Sequence, residues 1–358
     1  MKVYSFPADS AACGMLRMIA PAEALARQGA DVTVVPQHER QLLVNMDPSG
    51  EVVHVALPED ADVVVVQRVT HKHLVSVLKY LRNHTQVATV LDIDDDLSAV
   101  HPSNPAWQAL HPRTGNDHSW NHLKAAAQLV NMVVVSSAAL ATRYAPHGRV
   151  RVVHNYLPES YFGHERQDSD LLGWPASLHS HPDDPAVTRG AVGRLVAEGA
   201  RFTVFGDPAG VGRAFGLPED PPSAGIVSLE EWPAAVARLG VGVVPLADTR
   251  FNQAKSWLKP LELAALGVPF VASPRPEYMR LHRLGAGLLA KDKGADWYRA
   301  LKRLRASPGL REDLSGRGRE VAAGLRLEDH AHLHAEAWEA ALAHQRDGAP
   351  VSAAVSPA

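Results

Sequence analysis

Phe251-Asn252-Gln253-Ala254-Lys255-Ser256-Trp257-Leu258-Lys259-Pro260-Leu261-Glu262-Leu263-Ala264-Ala265-Leu266-Gly267-Val268-Pro269-Phe270-Val271-Ala272-Ser273 reads as a loop, a helix over 256–266, and an apolar strand over 270–272. Leu258, Leu261 and Ala265 form one helical stripe, while Lys255, Lys259 and Glu262 fall at i, i+4 and i+7 on another face. Pro260 suits an early helical position, where its missing N–H costs least. Lys255 and Ser256 then belong to the loop entering the helix or to a kinked first turn. An amphipathic helix leading into a short buried strand is the repeating unit of a parallel sheet with crossover helices.

The same alternation extends outward along the chain. In the first half, β-branched runs at 3–6, 32–35, 52–55, 63–66, 87–91, 133–135 and 150–153 predict strands, with helical period at 15–28, 71–82, 119–129 and 138–144. The polar stretch 158–169, with Tyr161, Phe162 and Gly163 before His164-Glu165-Arg166-Gln167-Asp168, reads as a linker. Beyond it the alternation resumes: strand 171–174, helix 184–197, strands 201–205 and 226–227, and strand 241–244. Ser228 with Glu231 three residues on predicts a capping box. The organisation expected is one α/β domain over 1–160, a second over 170–328, a helix over 329–345 and a disordered tail over 346–358.

With 358 residues the chain is long enough for two domains of about 150 residues each. Lysine plus arginine number 36 against 39 acidic residues, a net charge of −3, so no bulk attraction to nucleic acid or anionic membrane is encoded. The single cysteine, Cys13, excludes an intrachain disulfide framework and fits a reducing compartment. Aliphatic runs such as 63–66 fall far short of the roughly 20 residues of a membrane helix. The N-terminus reaches Pro7 and Asp9 too early for a signal peptide, so the expected location is the cytoplasm, without membrane insertion.

Two stretches carry candidate chemistry. Lys255 and Lys259 repel each other and oppose the positive end of the helix dipole, a conflict that a bound diphosphate would remove. The competing reading is a surface helix with a Lys259–Glu262 ion pair. Asp92-Ile93-Asp94-Asp95-Asp96 closes the strand at 87–91 and places four carboxylates in five residues. They repel unless cations or donors meet them, which suits a capped acidic turn, a divalent-metal site or a catalytic carboxylate. Asp92 and Asp94, alternating along the strand, are expected to share a face, with Asp95 pointing away. The pairs His118/His122 and His330/His334 have one-turn spacing but lack the adjacent glutamate of a zinc-protease motif, so no metal is assigned to them.

The stretch Glu262-Leu263-Ala264-Ala265-Leu266-Gly267-Val268-Pro269-Phe270-Val271-Ala272-Ser273 resembles the second domain of the GT-B fold glycosyltransferases, particularly the glycosyltransferase family 4-like group. Gly14-Met15-Leu16-Arg17 followed by Gly29-Ala30-Asp31-Val32-Thr33 is similar to that fold's opening strand, glycine loop and helix. Leu171-Leu172-Gly173-Trp174-Pro175-Ala176-Ser177 with His179, His181 and Asp184 is similar to the first strand and loop of its second domain, and Phe205-Gly206-Asp207 to a strand followed by a turn near the base. The family's earlier glutamate falls on Ala254, so the resemblance is to an atypical subgroup.

The resemblance implies two Rossmann-like domains with a deep interdomain cleft, and transfer of a sugar from a nucleotide-diphosphate sugar, UDP or GDP foremost, to an unidentified hydroxyl. Retention of configuration without a metal is its default, a divalent metal being the less favoured reading. It implies that Glu262 meets the ribose and Lys255 the diphosphate, with Lys255 also in the catalytic set beside Asp94 and Asp92. Asn252, Ser256, Lys259, Gly173, Ser177, His181 and Gly206 complete the donor contacts, and Gly14 and Arg17 lie toward the acceptor or cleft. The acceptor is a small molecule, a glycan, a protein or modified DNA, and the oligomeric state is open. Alternatives are a transferase acting on a hydroxymethylated base in DNA, a nucleotide-sugar epimerase, and a non-catalytic sugar-nucleotide-binding protein. For the DNA reading, Arg17, Lys72, Lys79, Arg82 and Arg113 are the candidate basic groups.

Overall fold

The computed structural model describes residues 1–36, 44–111, 119–167, 169–347 and 354–355. Arg113, His118, Asp168 and most of the 346–358 tail lie outside the described residues. The chain divides into two compact units. The first holds Met1–Val100, Ala106–Tyr156 and Leu327–Ala358, the second His101–Pro105 and Leu157–Arg326.

In the first unit the strands are β1 (Lys2–Phe6), β2 (Asp31–Val34), β3 (Val44–Met46), β4 (Val52–Val55), β5 (Val63–Gln67), β6 (Ala88–Ile93), β7 (Met132–Val135) and β8 (Val150–Val152). The main sheet is parallel in the order β8-β7-β6-β5-β1-β2, and β3 with β4 forms a separate antiparallel pair. β6 and β7 are buried along their whole length, and β7 accordingly reads as a continuous apolar run, whereas edge strand β2 alternates. Strand order reverses at β1, which pairs with β2 on one side and β5 on the other, through Val3 opposite Val32 and Val63. The C-terminal ends of β1 and β5 therefore bound the crevice where open α/β sheets place ligands.

One helical stretch follows β1, with a π-helical segment at Met15–Ile19 between Ala12–Gly14 and Ala20–Arg27. The helix His332–Asp347 packs on β6 and β7 of the first unit. Within the tail, expected to lack order, Ala354–Val355 adds a parallel strand beside β8.

The second unit carries β9 (Leu172–Trp174), β10 (Phe202–Val204), β11 (Val241–Val244), β12 (Phe270–Ala272) and β13 (Leu288–Leu289), parallel in the order β10-β9-β11-β12-β13. Its order reverses at β9. Leu172, Trp174, Phe202, Phe215, Val243, Trp297 and Leu301 build the core, with Phe215 edge-on to both Trp174 and Phe202 at 5.2 and 5.0 Å.

Two expected elements differ. The helix expected at 184–197 breaks into a 3-10 turn, Pro185–Thr188, and a helix, Ala191–Ala197, because Arg189 and Gly190 adopt left-handed backbone at φ 50° and 73°. The strand expected at 226–227 is absent: Ile226 is 98% exposed, and only Ser223 and Gly225 bridge to Val204 and Gly206. The capping box forms only in part: Ser228 Oγ accepts from the Glu231 amide at 3.2 Å and donates to Glu231 Oε2 at 2.8 Å, but the helix starts later, at Trp232, with Glu231 as its N-cap and no side-chain cap bond. Among the described residues no helix is long and apolar enough to cross a membrane.

Candidate functional site

In the second unit the loops after β9 and β10 enclose a cavity of about 930 Å³, lined among others by Ser177, His181, Gly206, Asp207, Trp232 and Lys259. Its position follows from topology, since the strand reversal at β9 leaves a crevice at the carboxyl ends of the strands. Gly206 takes φ 77°, which lets the chain turn immediately after β10. The Gly206 amide donates to Gly225 O at 2.8 Å, joining the two loops that flank the cavity. Ser177 Oγ accepts from the His179 amide at 3.3 Å.

Lys259 sits in the first turn of the helix Leu258–Ala265. Its Nζ lies 4.4 Å from the centre of the Trp232 ring and 3.1 Å from Glu262 Oε2. The ion pair of the simpler sequence reading is thus formed. Glu262 is buried at 3% exposure and its Oε1 accepts from Tyr161 Oη at 2.8 Å, so both carboxylate oxygens have partners in the protein. Burial and the adjacent Glu262 charge push the Tyr161 hydroxyl far above its ordinary pKa, leaving it a donor. Tyr161 belongs to the stretch read as a linker, and its aromatic character within a polar run was the only signal for this role.

Several predicted donor contacts have other tasks. Lys255 and Ser256 lie in the loop entering the helix, as Pro260 required. Lys255 Nζ stands 4.4 Å from the Phe251 ring and Ser256 Oγ accepts from the Leu258 amide at 3.4 Å, and neither residue nor Glu262 lines the cavity. Asn252 is buried, and its Nδ2 donates to Asp184 Oδ1 at 2.7 Å and to Ala247 O at 3.1 Å, an internal brace and not a ligand contact. Gly173, expected in a turn over the diphosphate, lies inside β9 between Thr203 and Gly242. A Cβ there would come within 2.2 Å of Leu239 Cδ2. Gly173→Ala is accordingly expected to lower stability by about 1–3 kcal/mol while leaving ligand affinity unchanged, as read by urea unfolding beside a binding isotherm.

In the first unit the acidic stretch is not a solvated turn. Asp92 is buried at 1% exposure and pairs bidentately with Arg17, Nη2 to Oδ2 at 2.7 Å and Nε to Oδ1 at 3.2 Å. Arg17, expected toward the cleft, is 2% exposed and also donates to Val153 O at 2.6 Å and Asn155 Oδ1 at 3.0 Å. It clamps the π-helical segment to β6 and to the chain after β8. Burial raises the Asp92 carboxyl pKa against the pull of Arg17. Burial and the Arg17 charge together press His334 down to about 3, so that buried imidazole is neutral. Asp96, fully buried, accepts from Arg143 Nη1 at 2.6 Å, Tyr144 Oη at 2.9 Å and Ser98 Oγ at 2.6 Å, anchoring the helix Ala138–Tyr144. Gly14 is no ligand contact either. A Cβ would fall 1.7 Å from Asp9 O, and its amide donates to Asp9 Oδ1 at 3.1 Å.

Asp94 is placed differently from Asp92 and Asp96. It is 8% exposed, its Oδ1 has no hydrogen-bond partner, and it stands 3.9 Å from Arg68 Nε, likewise buried and unpartnered. Arg68 follows β5 directly with φ 45°, a left-handed conformation costly for a side-chain-bearing residue, and its guanidinium pairs with Asp9 after β1. Asp9, Arg68 and Asp94 thus meet at the crevice end of the first sheet. Asp9 and Arg68 were not singled out from sequence, although Gln67 and Arg68 end the run Val63–Val66 and mark a strand's carboxyl end. Among the described residues no group of three or more His, Cys, Asp or Glu side chains is placed to hold a metal ion.

No family model matches the chain, and no curated protein matches it in sequence. Solved structures match it in fold. Sucrose-phosphate synthase from Thermosynechococcus elongatus superposes with a TM-score of 0.65 at 15% identity, over 95% of this chain and 98% of that one. HepE of Anabaena in complex with UDP-glucose gives 0.65 at 14% identity, over 95% and 99%. The catalytic domain of starch synthase IV from Arabidopsis thaliana bound to ADP and acarbose gives 0.64 at 12% identity, over 96% and 99%. These proteins are glycosyltransferases of the GT-B architecture. The chain therefore has the α/β fold with two Rossmann-like domains that GT-B glycosyltransferases share.

Proposed function

We propose that the protein is a glycosyltransferase that takes a nucleotide-diphosphate sugar as donor and binds it in the 930 Å³ cavity of the second unit. The observation that carries this reading is that cavity, seated at the carboxyl ends of β9 and β10 in a fold whose solved relatives include proteins in complex with UDP-glucose and with ADP. Lys259, Ser177, His181 and Gly206, which line it, supply the donor contacts, and Glu262 with Tyr161 fixes the lysine. Asp94, beside Arg68, is the group that meets the acceptor hydroxyl.

Departure of a nucleoside diphosphate leaves negative charge on phosphate oxygen, and fixed cations and amides are the means of stabilising it without a resident metal. Thermal unfolding with UDP-, GDP-, ADP- and TDP-sugars tests the reading. At a concentration about 100-fold above the dissociation constant, the true donor is expected to add about 2.7 kcal/mol to stability and to release its nucleotide on incubation. Absence of a shift with every one of them would refute the donor site.

A further inference from the structure

Between its main sheet and the helix Lys72–His84, the first unit encloses an apolar cavity of about 100 Å³. Val64 and Val66, alternate residues of β5, form its floor with Phe6 of β1, and Val77, Leu78 and Leu81 of the helix form its roof. Val44 and Val55, paired across β3 and β4, close one side. Leu74, in the first turn of the helix and 45% exposed, stands where the cavity reaches the surface. Among the described residues that line it none is charged. The side-chain amide of Gln67 is engaged on both atoms: Oε1 accepts from the Ala8 amide at 2.9 Å, and Nε2 donates to Cys13 O at 3.2 Å. A water needs several polar partners to settle in such a space, whereas an apolar group needs none.

The cavity borders Arg68. Gln67 and Val69 line it on either side of that residue in the chain, and the left-handed backbone of Arg68 directs its guanidinium to Asp9 and Asp94 between these two neighbours. We propose that the cavity seats an apolar group of the acceptor, which is therefore an alcohol carrying a short aliphatic chain or a ring edge beside its hydroxyl. The inference rests on the glycosyltransferase reading above and narrows the acceptor that it leaves open. Size sets the group: an apolar cavity of about 150 Å³ holds the six carbons of benzene, so this one takes about four. A glycan pressed into the same wall would bury its hydroxyls without partners. In the transfer, the alcohol oxygen bonds the anomeric carbon as the bond from that carbon to the diphosphate oxygen breaks. The bonding pair leaves with the nucleoside diphosphate, and the hydroxyl proton passes to the Asp94 carboxylate.

The test titrates the full chain with ethanol, n-butanol and glycerol, reading by NMR the methyl groups of Val64, Leu78 and Leu81 on the cavity wall. n-Butanol is expected to shift these resonances and to bind about 15-fold more tightly than ethanol, about fourfold for each added methylene, while glycerol leaves them unmoved. Val77→Phe fills the cavity from the helix and Val66→Phe from the sheet, so that one variant remains if the other does not fold. Each is expected to lose about tenfold or more of the n-butanol affinity. With the nucleotide sugar that the protein binds, n-butanol but not glycerol is expected to accelerate release of the nucleoside diphosphate, and the filled variants to lose that acceleration. Resonances unmoved by n-butanol, or equal n-butanol affinity in wild type and a filled variant, would overturn the cavity site while leaving the donor site standing. n-Butanol that binds without accelerating release from a bound donor would overturn its assignment to the acceptor. A protein that binds n-butanol but none of the four nucleotide sugars would refute the donor reading and the acceptor assignment together, leaving only an apolar binding site.

Discussion

Asp92→Ala is expected to lower folding stability by about 3–5 kcal/mol, because it strands the Arg17 guanidinium in the interior. The pair is 2% exposed on both sides, so solvent cannot replace the lost carboxylate. Arg17→Ala should cost as much: it leaves Asp92 unpaired and withdraws the donor from Val153 O and Asn155 Oδ1 as well. The two effects have one origin, so a double replacement, Arg17→Met with Asp92→Leu, is expected to recover most of the loss, since no charge is then stranded. Urea unfolding of the three variants decides the matter. An Asp92→Ala protein within about 1 kcal/mol of wild type would mean that the buried pair is not an anchor.

Asp94→Asn is expected to reduce turnover by about 10²- to 10⁴-fold, the usual scale of a positioned acid–base group, with nucleotide affinity unchanged. The expectation comes from the 3.9 Å separation of Asp94 Oδ1 and Arg68 Nε. A hydroxyl oxygen bridging them at about 2.8 Å from each would accept from the guanidinium and donate to the carboxylate. Asparagine keeps the size but cannot take the proton. Release of nucleoside diphosphate from the donor measures turnover, and calorimetry measures binding. Unchanged turnover would remove Asp94 from the chemistry.

Strand positions were readable because the valine runs at 63–66 and 133–135 sit in central strands buried on both faces, where composition alone reports the environment. β3 and the two-residue β13 lack that context and were not anticipated. The break at Arg189 was equally hidden, since nothing in the side chain of an arginine announces a left-handed backbone. For the site, many of the side chains that sequence assigned to a ligand are held by partners inside the protein. Asn252, Gly173 and Arg17 are polar or small residues beside a crevice, and the one-dimensional pattern cannot tell a residue that meets a ligand from one that braces its neighbour. Tyr161 and Glu262 are 101 residues apart, and Arg17 and Asp92 are 75 apart. Such partners are invisible to local spacing, so the Asp92–Asp96 run looked like one feature when Asp92, Asp94 and Asp96 have three different environments.

The first unit is assembled from three separate lengths of chain, with its last helix, His332–Asp347, lying on β6 and β7. During synthesis at about 5–20 residues per second, the second unit's main segment, Leu157–Arg326, emerges from the ribosome before that helix does. The unit encoded later is therefore the first able to finish, and the sheet encoded earlier must wait with part of its apolar surface uncovered. A chain truncated before residue 327 and released would hold every segment of the second unit and lack part of the first, whose early sheet would keep the face that His332–Asp347 covers exposed.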